Sequence, residues 1–186
     1  MAGLRTDPLG VRVQSIRWAA AAIAGGLLCS AVAHGQETAK AARLTFGAGA
    51  IGIGSGTDGA FAGSIEWQSS RALFWKVAPL AGALATSDGA GYVFAGVYMD
   101  VALAERWYFT PSVAVGGYSE GGGKDLGNGI EFRTAGEFSY RLSPTRHVGL
   151  SIYHLSNAGL GDHNLGTNGA AISYSVTLDS LKSLMP

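Results

Sequence analysis

The chain has 186 residues, of which 47% are hydrophobic and only 14% charged, and its formal net charge is zero. This length suits one domain, and the neutral charge balance argues against a nucleic-acid-binding protein, which needs a basic surface. The single cysteine excludes an intrachain disulfide framework and any zinc or iron–sulfur site that requires several cysteines.

The first 33 residues have the features of a secretory signal peptide. Three arginines lie among the first 17 residues, residues 18–33 are nearly all apolar, and residues 31–33 read Ala-Val-Ala, an A-x-A cleavage site. A transmembrane anchor is the alternative, but 16 residues rich in alanine and glycine are short for a membrane span. We therefore expect residues 1–33 to be a cleaved signal peptide and residues 34–186 to be the mature domain, with no cysteine.

Eight segments of the mature domain alternate apolar and polar residues, the pattern typical of β-strands with two different faces. The clearest segment is residues 130–142, in which Phe138 and Tyr140 alternate with Glu137 and Arg141. The pattern is weaker in two segments. In residues 44–53 the alternation changes parity at Ile51, which a glycine bulge would explain, and residues 73–86 have no clear period. The predicted strands are residues 44–53, 61–68, 73–86, 92–103, 107–115, 130–142, 148–153 and 172–179.

The connections between these segments alternate in length. Outer-membrane barrels have short periplasmic turns, longer external loops and strands near the 9–11 residues that cross a bilayer. The sequence therefore predicts an all-β fold, an eight-stranded antiparallel transmembrane β-barrel in the bacterial outer membrane. The predicted short turns are residues 69–72, 104–106 and 143–146, and the predicted long loops are residues 119–129 and 157–167.

Aromatic and charged residues support the barrel, although a soluble β-sandwich with an aromatic core is the alternative. Aromatic residues near the strand ends predict one girdle at each membrane interface, and charged residues on the polar faces predict a lumen of paired side chains. The girdle near the short turns would comprise Trp67, Phe74, Trp75, Trp107, Tyr108 and Tyr140, and the opposite girdle Tyr92, Tyr118 and Tyr153. The predicted lumen charges are Glu66, Asp100, Glu131, Arg133, Glu137 and Arg141.

Residues 153–168 contain side chains that are typical of nucleophilic catalysis. His154 and Ser156 are two residues apart on a predicted strand, so their side chains leave the same face. A serine hydroxyl becomes an effective nucleophile when a neighbouring base takes its proton. The parity of both residues is that of the apolar, lipid-facing side, where polar groups are costly unless they have a function. This pattern indicates a nucleophile and a base on the outer surface of the barrel.

The string H-x-S-N-A-G at residues 154–159, followed by N-x-G at residues 164–166, resembles the lipid A 3-O-deacylase (PagL) family. The resemblance implies an outer-membrane barrel esterase that removes the acyl chain from position 3 of lipid A. Its partners would be lipid A, as lipopolysaccharide, and outer-membrane lipid, without a cofactor or metal. The resemblance also implies Ser156 as the nucleophile, His154 as the base, and an oxyanion hole made by Asn157 and the backbone around Gly159.

One position departs from the family, because Asn168 stands where the family has the glutamate of its catalytic triad. An amide oxygen can accept the Nδ1–H of the His154 ring, but it supplies no negative charge to stabilise an imidazolium. Asp162 is a candidate replacement acid. The resemblance therefore implies an esterase weakened by Asn168, and the alternatives are an inactive barrel with a lipid-A-binding or structural role and an adhesion barrel acting through residues 119–129. The oligomeric state stays open, with a homodimer as one possibility.

Overall fold

The alternating segments form nine strands and one short helix in the computed structural model, which describes residues 41–54 and 59–182. The predicted signal peptide lies outside the described residues. The elements are β1 (Arg43–Ile51), β2 (Ala60–Gln68), β3 (Ala78–Thr86), β4 (Gly91–Tyr98), β5 (Val101–Ala102), β6 (Trp107–Ser119), β7 (Ile130–Ser143), β8 (Arg146–Ser156), β9 (Thr167–Thr177) and α1 (Leu178–Lys182).

All neighbouring strands pair antiparallel, and the sheet closes on itself. The order is β4-β3-β2-β1-β9-β8-β7-β6-β5, and β4 also pairs with β6. Because β4 and the two-residue β5 both pair along β6, they act as one strand interrupted at residues 99–100. The predicted eight-stranded antiparallel barrel is therefore confirmed. We call the end with residues 69–77 and 144–145 the turn end, and the end with residues 87–90, 120–129 and 157–166 the loop end.

Large apolar side chains cover the outside of the barrel, as the alternation predicted. Val93, Ile152 and Ile172 are between 63% and 68% exposed on the isolated chain. A closed barrel satisfies every strand hydrogen bond internally, so such a surface is suited to contact with lipid. In the described part of the chain, no helix has the length and apolar character needed to span a membrane.

The turn-end half of the lumen is polar, and its charges pair across the barrel. Arg43 lies 3.0 Å from Asp100, and Arg133 lies 3.2 Å from Glu66, with all four side chains nearly buried. The prediction of a charge-paired lumen holds for these residues. Glu131 is an exception, because it lies near the loop end, is fully buried, and neither carboxylate oxygen has a hydrogen-bond partner among the described residues.

Apart from Glu131, the loop-end half of the lumen is lined mainly by apolar residues. Ile51 belongs to this half, and β1 pairs without interruption with both β2 and β9, so the predicted glycine bulge is wrong. The apparent change of parity arises because the inner face itself becomes apolar here. Loop 120–129 contributes Leu126, which closes this end of the lumen as a plug. The buried apolar residues of this half include Ile51, Leu84, Phe94, Leu126 and Leu155.

The predicted aromatic girdle at the loop end is wrong. Tyr92 and Tyr153 face the lumen and are 1% and 7% exposed. The Tyr92 hydroxyl donates to the Glu131 carbonyl at 2.9 Å, and the Tyr118 hydroxyl donates to the Lys124 carbonyl at 2.8 Å. These tyrosines lie at strand ends, but their parity is that of the inner face, where the hydroxyls of Tyr92 and Tyr118 find carbonyl partners.

The turn-end girdle is present in part. The Trp107 ring packs on Phe138 and Tyr140 with centroid distances of 4.9 and 5.0 Å. Tyr108 instead stacks on His147, away from this aromatic group.

Some element bounds differ from the prediction. The connection between β2 and β3 spans residues 69–77, so the predicted short turn at residues 69–72 is wrong, and α1 replaces the end of the last predicted strand.

Candidate active site

The site lies at the loop end, where β8 ends and β9 begins. His154 and Asn168 are direct partners across these two strands, and both side chains face outward. The His154 Nδ1 atom lies 2.8 Å from the Asn168 Oδ1 atom. The register of the sheet thus joins two residues that are 14 positions apart in the sequence.

The orientation of the Asn168 amide is fixed by a neighbouring loop. Its Nδ2 donates to the Ile53 carbonyl at 3.4 Å, and its own backbone carbonyl accepts from the Gly52 and Ile53 N–H groups at 2.8 and 3.1 Å. Because a carbonyl can only accept, Nδ2 must face Ile53 and Oδ1 must face the imidazole. With Oδ1 facing the imidazole, the His154 Nδ1 atom would carry the proton, and Nε2 would keep the lone pair that a general base needs.

Ser156 is on the outward face of β8, two residues beyond His154 and opposite Phe132 on β7. Within the described part of the chain, no hydrogen bond joins the Ser156 hydroxyl to the imidazole. Contacts of this kind are often long without substrate and shorten in the complex. The predicted shared face is therefore observed, while the predicted proton-sharing contact is not formed in this state.

Gly166 lies directly against the His154 ring. A methyl group added at Gly166 would be 2.9 Å from Cε1 and 3.3 Å from Nε2 of the imidazole, and the φ angle of +54° is one that glycine favours. The Gly166 carbonyl accepts a hydrogen bond from Lys124 Nζ at 2.7 Å. The backbone beside the base is thus held from the opposite loop.

The Asn157 side chain is held by hydrogen bonds to two loops. It is fully buried, and Nδ2 donates to the carbonyls of Leu126 and His163, each at 2.8 Å. Its Oδ1 accepts the Gly159 N–H at 2.8 Å. The Asn157 side-chain amide and the Gly159 N–H are therefore bonded to protein groups in this structure, and an oxyanion hole formed by Asn157 and the backbone around Gly159 stays a prediction. Asn157 ties loop 157–166 to loop 120–129.

Two other donors beside Ser156 lack partners among the described residues. One is the Ala158 N–H, in a turn where Ala158 and Gly159 have φ angles of +55° and +83°. The other is Nδ2 of Asn164, whose Oδ1 accepts the Asn157 N–H at 3.2 Å. A left-handed alanine costs about 1 kcal/mol, and such strain often accompanies functional sites. Asn164 was not predicted as a donor, although it is the asparagine of the N-x-G string.

The surroundings of the site are apolar on the membrane side. Ile152 and Ile172 flank the pair along the strands, and Leu160 and Leu165 in loop 157–166 are 59% and 63% exposed. A polar pair bordered by exposed apolar side chains can accept an ester at the boundary between a polar head and its hydrocarbon chains.

Asp162, the predicted replacement acid, forms no ion pair or hydrogen bond among the described residues, and His154 is oriented by Asn168 instead. Within residues 41–54 and 59–182, no group of three or more His, Cys, Asp and Glu side chains is arranged to hold a metal ion.

Comparisons with known proteins agree with the barrel fold. The family whose sequence pattern matches residues 51–177 is described as Lipid A 3-O-deacylase (PagL). The crystal structure of the outer membrane enzyme PagL is similar, with a TM-score of 0.57 and 17% identity over 73% of this chain and 99% of that chain. No curated protein sequence matches this chain.

Two further barrels share the fold. A de novo designed transmembrane β-barrel gives a TM-score of 0.51 and 13% identity over 77% of this chain and 100% of that chain. Neisserial surface protein A (NspA) gives a TM-score of 0.52 and 11% identity over 73% of this chain and 95% of that chain. At these identities the structural matches establish the barrel architecture, and the family match carries the functional relationship.

Proposed function

The chain belongs to the lipid A 3-O-deacylase (PagL) family, and we propose that it is an outer-membrane esterase that hydrolyses the 3-O-linked acyl chain of lipid A. The apolar outer face of the barrel supports a membrane location, and the outward direction of His154 and Asn168 supports attack on a lipid from within its own leaflet. Lipid A lies in the outer leaflet, so the loop end would face the outside of the cell.

In the first half of the proposed reaction, the Ser156 Oγ attacks the ester carbonyl while His154 Nε2 takes its proton. The carbonyl oxygen becomes an oxyanion, which the Ala158 N–H and Asn164 Nδ2 would stabilise. The bond to the sugar oxygen then breaks, and that oxygen takes the proton from Nε2 to leave as the free 3-hydroxyl. The acyl chain remains on Ser156 as an ester.

In the second half, water attacks this ester and gives its proton to His154 Nε2. Collapse of the second tetrahedral intermediate releases the fatty acid and returns the proton to the Ser156 oxygen. Each half thus uses the same base and the same donors, and no group beyond the chain, the lipid and water is required.

The observation that carries this proposal is the orientation of Asn168. In serine proteases, replacing the triad aspartate by asparagine lowers kcat by about 10⁴-fold, because the imidazole adopts the wrong tautomer. In this chain the Ile53 carbonyl turns the amide so that Oδ1 accepts from Nδ1, which favours the productive tautomer. Asn168 still lacks the charge that stabilises an imidazolium, so we expect a working but slow esterase.

The alternative is a barrel that binds lipid A without hydrolysing it. The neutral Asn168 and the absence of a Ser156–His154 hydrogen bond in the described structure favour this candidate. It predicts lipid A binding that does not change when Ser156 is replaced, and no product at any time.

The experiment is incubation of the refolded protein with lipopolysaccharide, followed by mass spectrometry of the lipid A. We expect the wild-type protein to remove one acyl chain and Ser156→Ala to remove none. Ser151→Ala is the matched control, because Ser151 is on the same strand but faces the lumen, and it should retain activity. An unchanged lipid A with the wild-type protein would refute the proposed activity and support the binding barrel.

A further inference from the structure

The connection between β2 and β3 exposes an apolar segment at the turn end, far from the proposed active site. Residues 71–76 read Arg-Ala-Leu-Phe-Trp-Lys, and all six are exposed. Leu73, Phe74 and Trp75 are 63%, 65% and 70% exposed. Three consecutive large apolar side chains in a connection are costly in water and indicate a surface that contacts something apolar.

The segment has a defined conformation. The Leu73 N–H donates to the Val77 carbonyl at 2.8 Å, and the Val77 N–H donates to the Phe74 carbonyl at 2.9 Å. Trp75 has a φ of +45°, which is unfavourable for a bulky side chain. These contacts form a tight apex that presents Phe74 and Trp75 at its tip. The strain is retained although nothing in the described chain covers the tip.

The base of the segment is attached to the barrel. The Arg71 N–H donates to Ser69 Oγ at 3.1 Å, and the Ser69 carbonyl accepts from the buried Tyr98 hydroxyl at 2.8 Å. The connection is therefore anchored to the lumen at one side, while the side chains at its apex are exposed.

The charges on the segment indicate the chemistry of its partner. Arg71 and Lys76 flank the apolar triplet, residues 69–77 contain no acidic residue, and neither cation forms an ion pair within the described residues. Apolar and aromatic side chains between cations are typical of surfaces that enter the interface of a membrane with anionic lipids. The exposed Trp67 and Trp107 on the barrel wall at the same end continue this aromatic surface.

We propose that residues 71–76 insert into the periplasmic leaflet and bind anionic phospholipid there. Leu73, Phe74 and Trp75 would enter the acyl-chain boundary, and Arg71 and Lys76 would contact lipid phosphates. The assignment to the periplasmic leaflet rests on the proposed function, which requires the loop end to face outward. The segment would hold the turn end at a fixed depth while the other end works on lipid A.

The test uses the full chain with Trp18→Phe, Trp67→Phe and Trp107→Phe, so that Trp75 is the only tryptophan. The protein is refolded into vesicles of phosphatidylethanolamine and phosphatidylglycerol that carry bromine near the top of the acyl chains. We expect the bromolipid to quench Trp75 fluorescence strongly and aqueous iodide to quench it little. A matched protein that keeps only Trp107, on the lipid-facing wall, is the positive control for folding and insertion.

Two further arms separate the alternatives. In vesicles of phosphatidylcholine alone, or with Arg71→Ser and Lys76→Ser, the bromolipid quenching of Trp75 should fall and iodide quenching should rise. Strong iodide quenching without bromolipid quenching in the anionic vesicles would overturn the proposal, because the apex would then lie in water. Protection from both quenchers that grows with the protein-to-lipid ratio would overturn it in favour of contact with a second copy.

The fluorescence readout does not depend on catalysis. Adding Ser156→Ala to the Trp75 protein should leave both kinds of quenching unchanged. A failure of the proposed deacylation would therefore leave this result intact, and a failure of insertion would not affect the mass spectrometry of lipid A.

Discussion

The two ends of the barrel differ in what fills the lumen and in how the connections are held. At the turn end the lumen contains buried ion pairs such as Arg43–Asp100, and the connection at residues 69–77 is attached at its base through Ser69 while residues 71–76 are exposed. At the loop end the lumen is mainly apolar apart from the buried Glu131, and side chains join loops 120–129 and 157–166. The proposed active site thus lies at the end where hydrogen bonds between loops hold the backbone in place. Such support suits catalysis, because a catalytic geometry tolerates little displacement.

The hydrogen bond from Asn168 to His154 holds the proposed base in place at the loop end. Removing the Asn168 acceptor should therefore have the largest effect on the rate of deacylation. We expect Asn168→Leu to lower the rate of deacylation about 10³-fold, since the His154 tautomer is no longer fixed. Asn168→Asp keeps an acceptor of the same size and adds charge, so it should match or exceed the wild-type rate. A leucine variant with the wild-type rate would show that Asn168 does not orient the base.

Removing the Asn157 side chain, which joins loops 120–129 and 157–166, should have the second-largest effect on the rate. Asn157→Ala leaves the carbonyls of Leu126 and His163 without a partner, so we expect about 2 kcal/mol less stability and a rate about 10²-fold lower. Urea unfolding in vesicles measures the first quantity and the lipid A assay the second. Asn128→Ala is the control, because Asn128 caps the exposed Ile130 N–H in the same loop region and should change neither by much. Equal rates for the two variants would contradict the role assigned to Asn157.

A smaller effect is expected at Gly166. An added methyl group must displace the imidazole by a few tenths of an ångström, because it would be 2.9 Å from Cε1. We expect Gly166→Ala to lower the rate about tenfold, within the range that small misplacements of reacting groups cause. Gly129→Ala is the matched control, since its new methyl group would meet only the Tyr118 carbonyl at 3.9 Å. Identical kinetics for the two alanine variants would argue against a close fit around the base.

The turn end should behave in the opposite way, with a change in stability and almost none in the rate. Arg43→Met leaves Asp100 buried without its guanidinium partner, so unfolding in urea should be easier by about 3 kcal/mol. The deacylation rate per folded molecule should stay at the wild-type value. If Arg43→Met lowers both the deacylation rate per folded molecule and the free energy of unfolding, the two ends are coupled, and the difference drawn between them is wrong.

The sequence was sufficient to predict the barrel. The alternation in residues 130–142 assigns one face to lipid and one to the lumen, and β7 has this arrangement. The same rule also assigns Tyr92 and Tyr153 to the lumen, since Val93 and Ile152 face outward. The predicted loop-end girdle was wrong because it relied on position along the strand and ignored parity.

Part of the site was predictable, from spacing within a strand and from the family resemblance that places Asn168 beside His154. The shared face of His154 and Ser156 follows from the period of two residues, and the contact between His154 and Asn168 needs the register of β8 with β9. The role of Asn157 depends on Leu126, which is 31 residues away and packs into the lumen from another loop. Local sequence carries no signal for such a contact, so the hydrogen bonds that hold the Asn157 side chain could not be predicted.

The central claim is that a neutral amide presents His154 as a working base. Nitrogen NMR of the protein labelled at histidine tests it directly, with the His154 signals identified by their loss in His154→Ala. We predict a protonated Nδ1 and an unprotonated Nε2 at neutral pH in the neutral form of the ring. A ring protonated at Nε2 and bare at Nδ1 would contradict the account, because that tautomer cannot take the proton from Ser156.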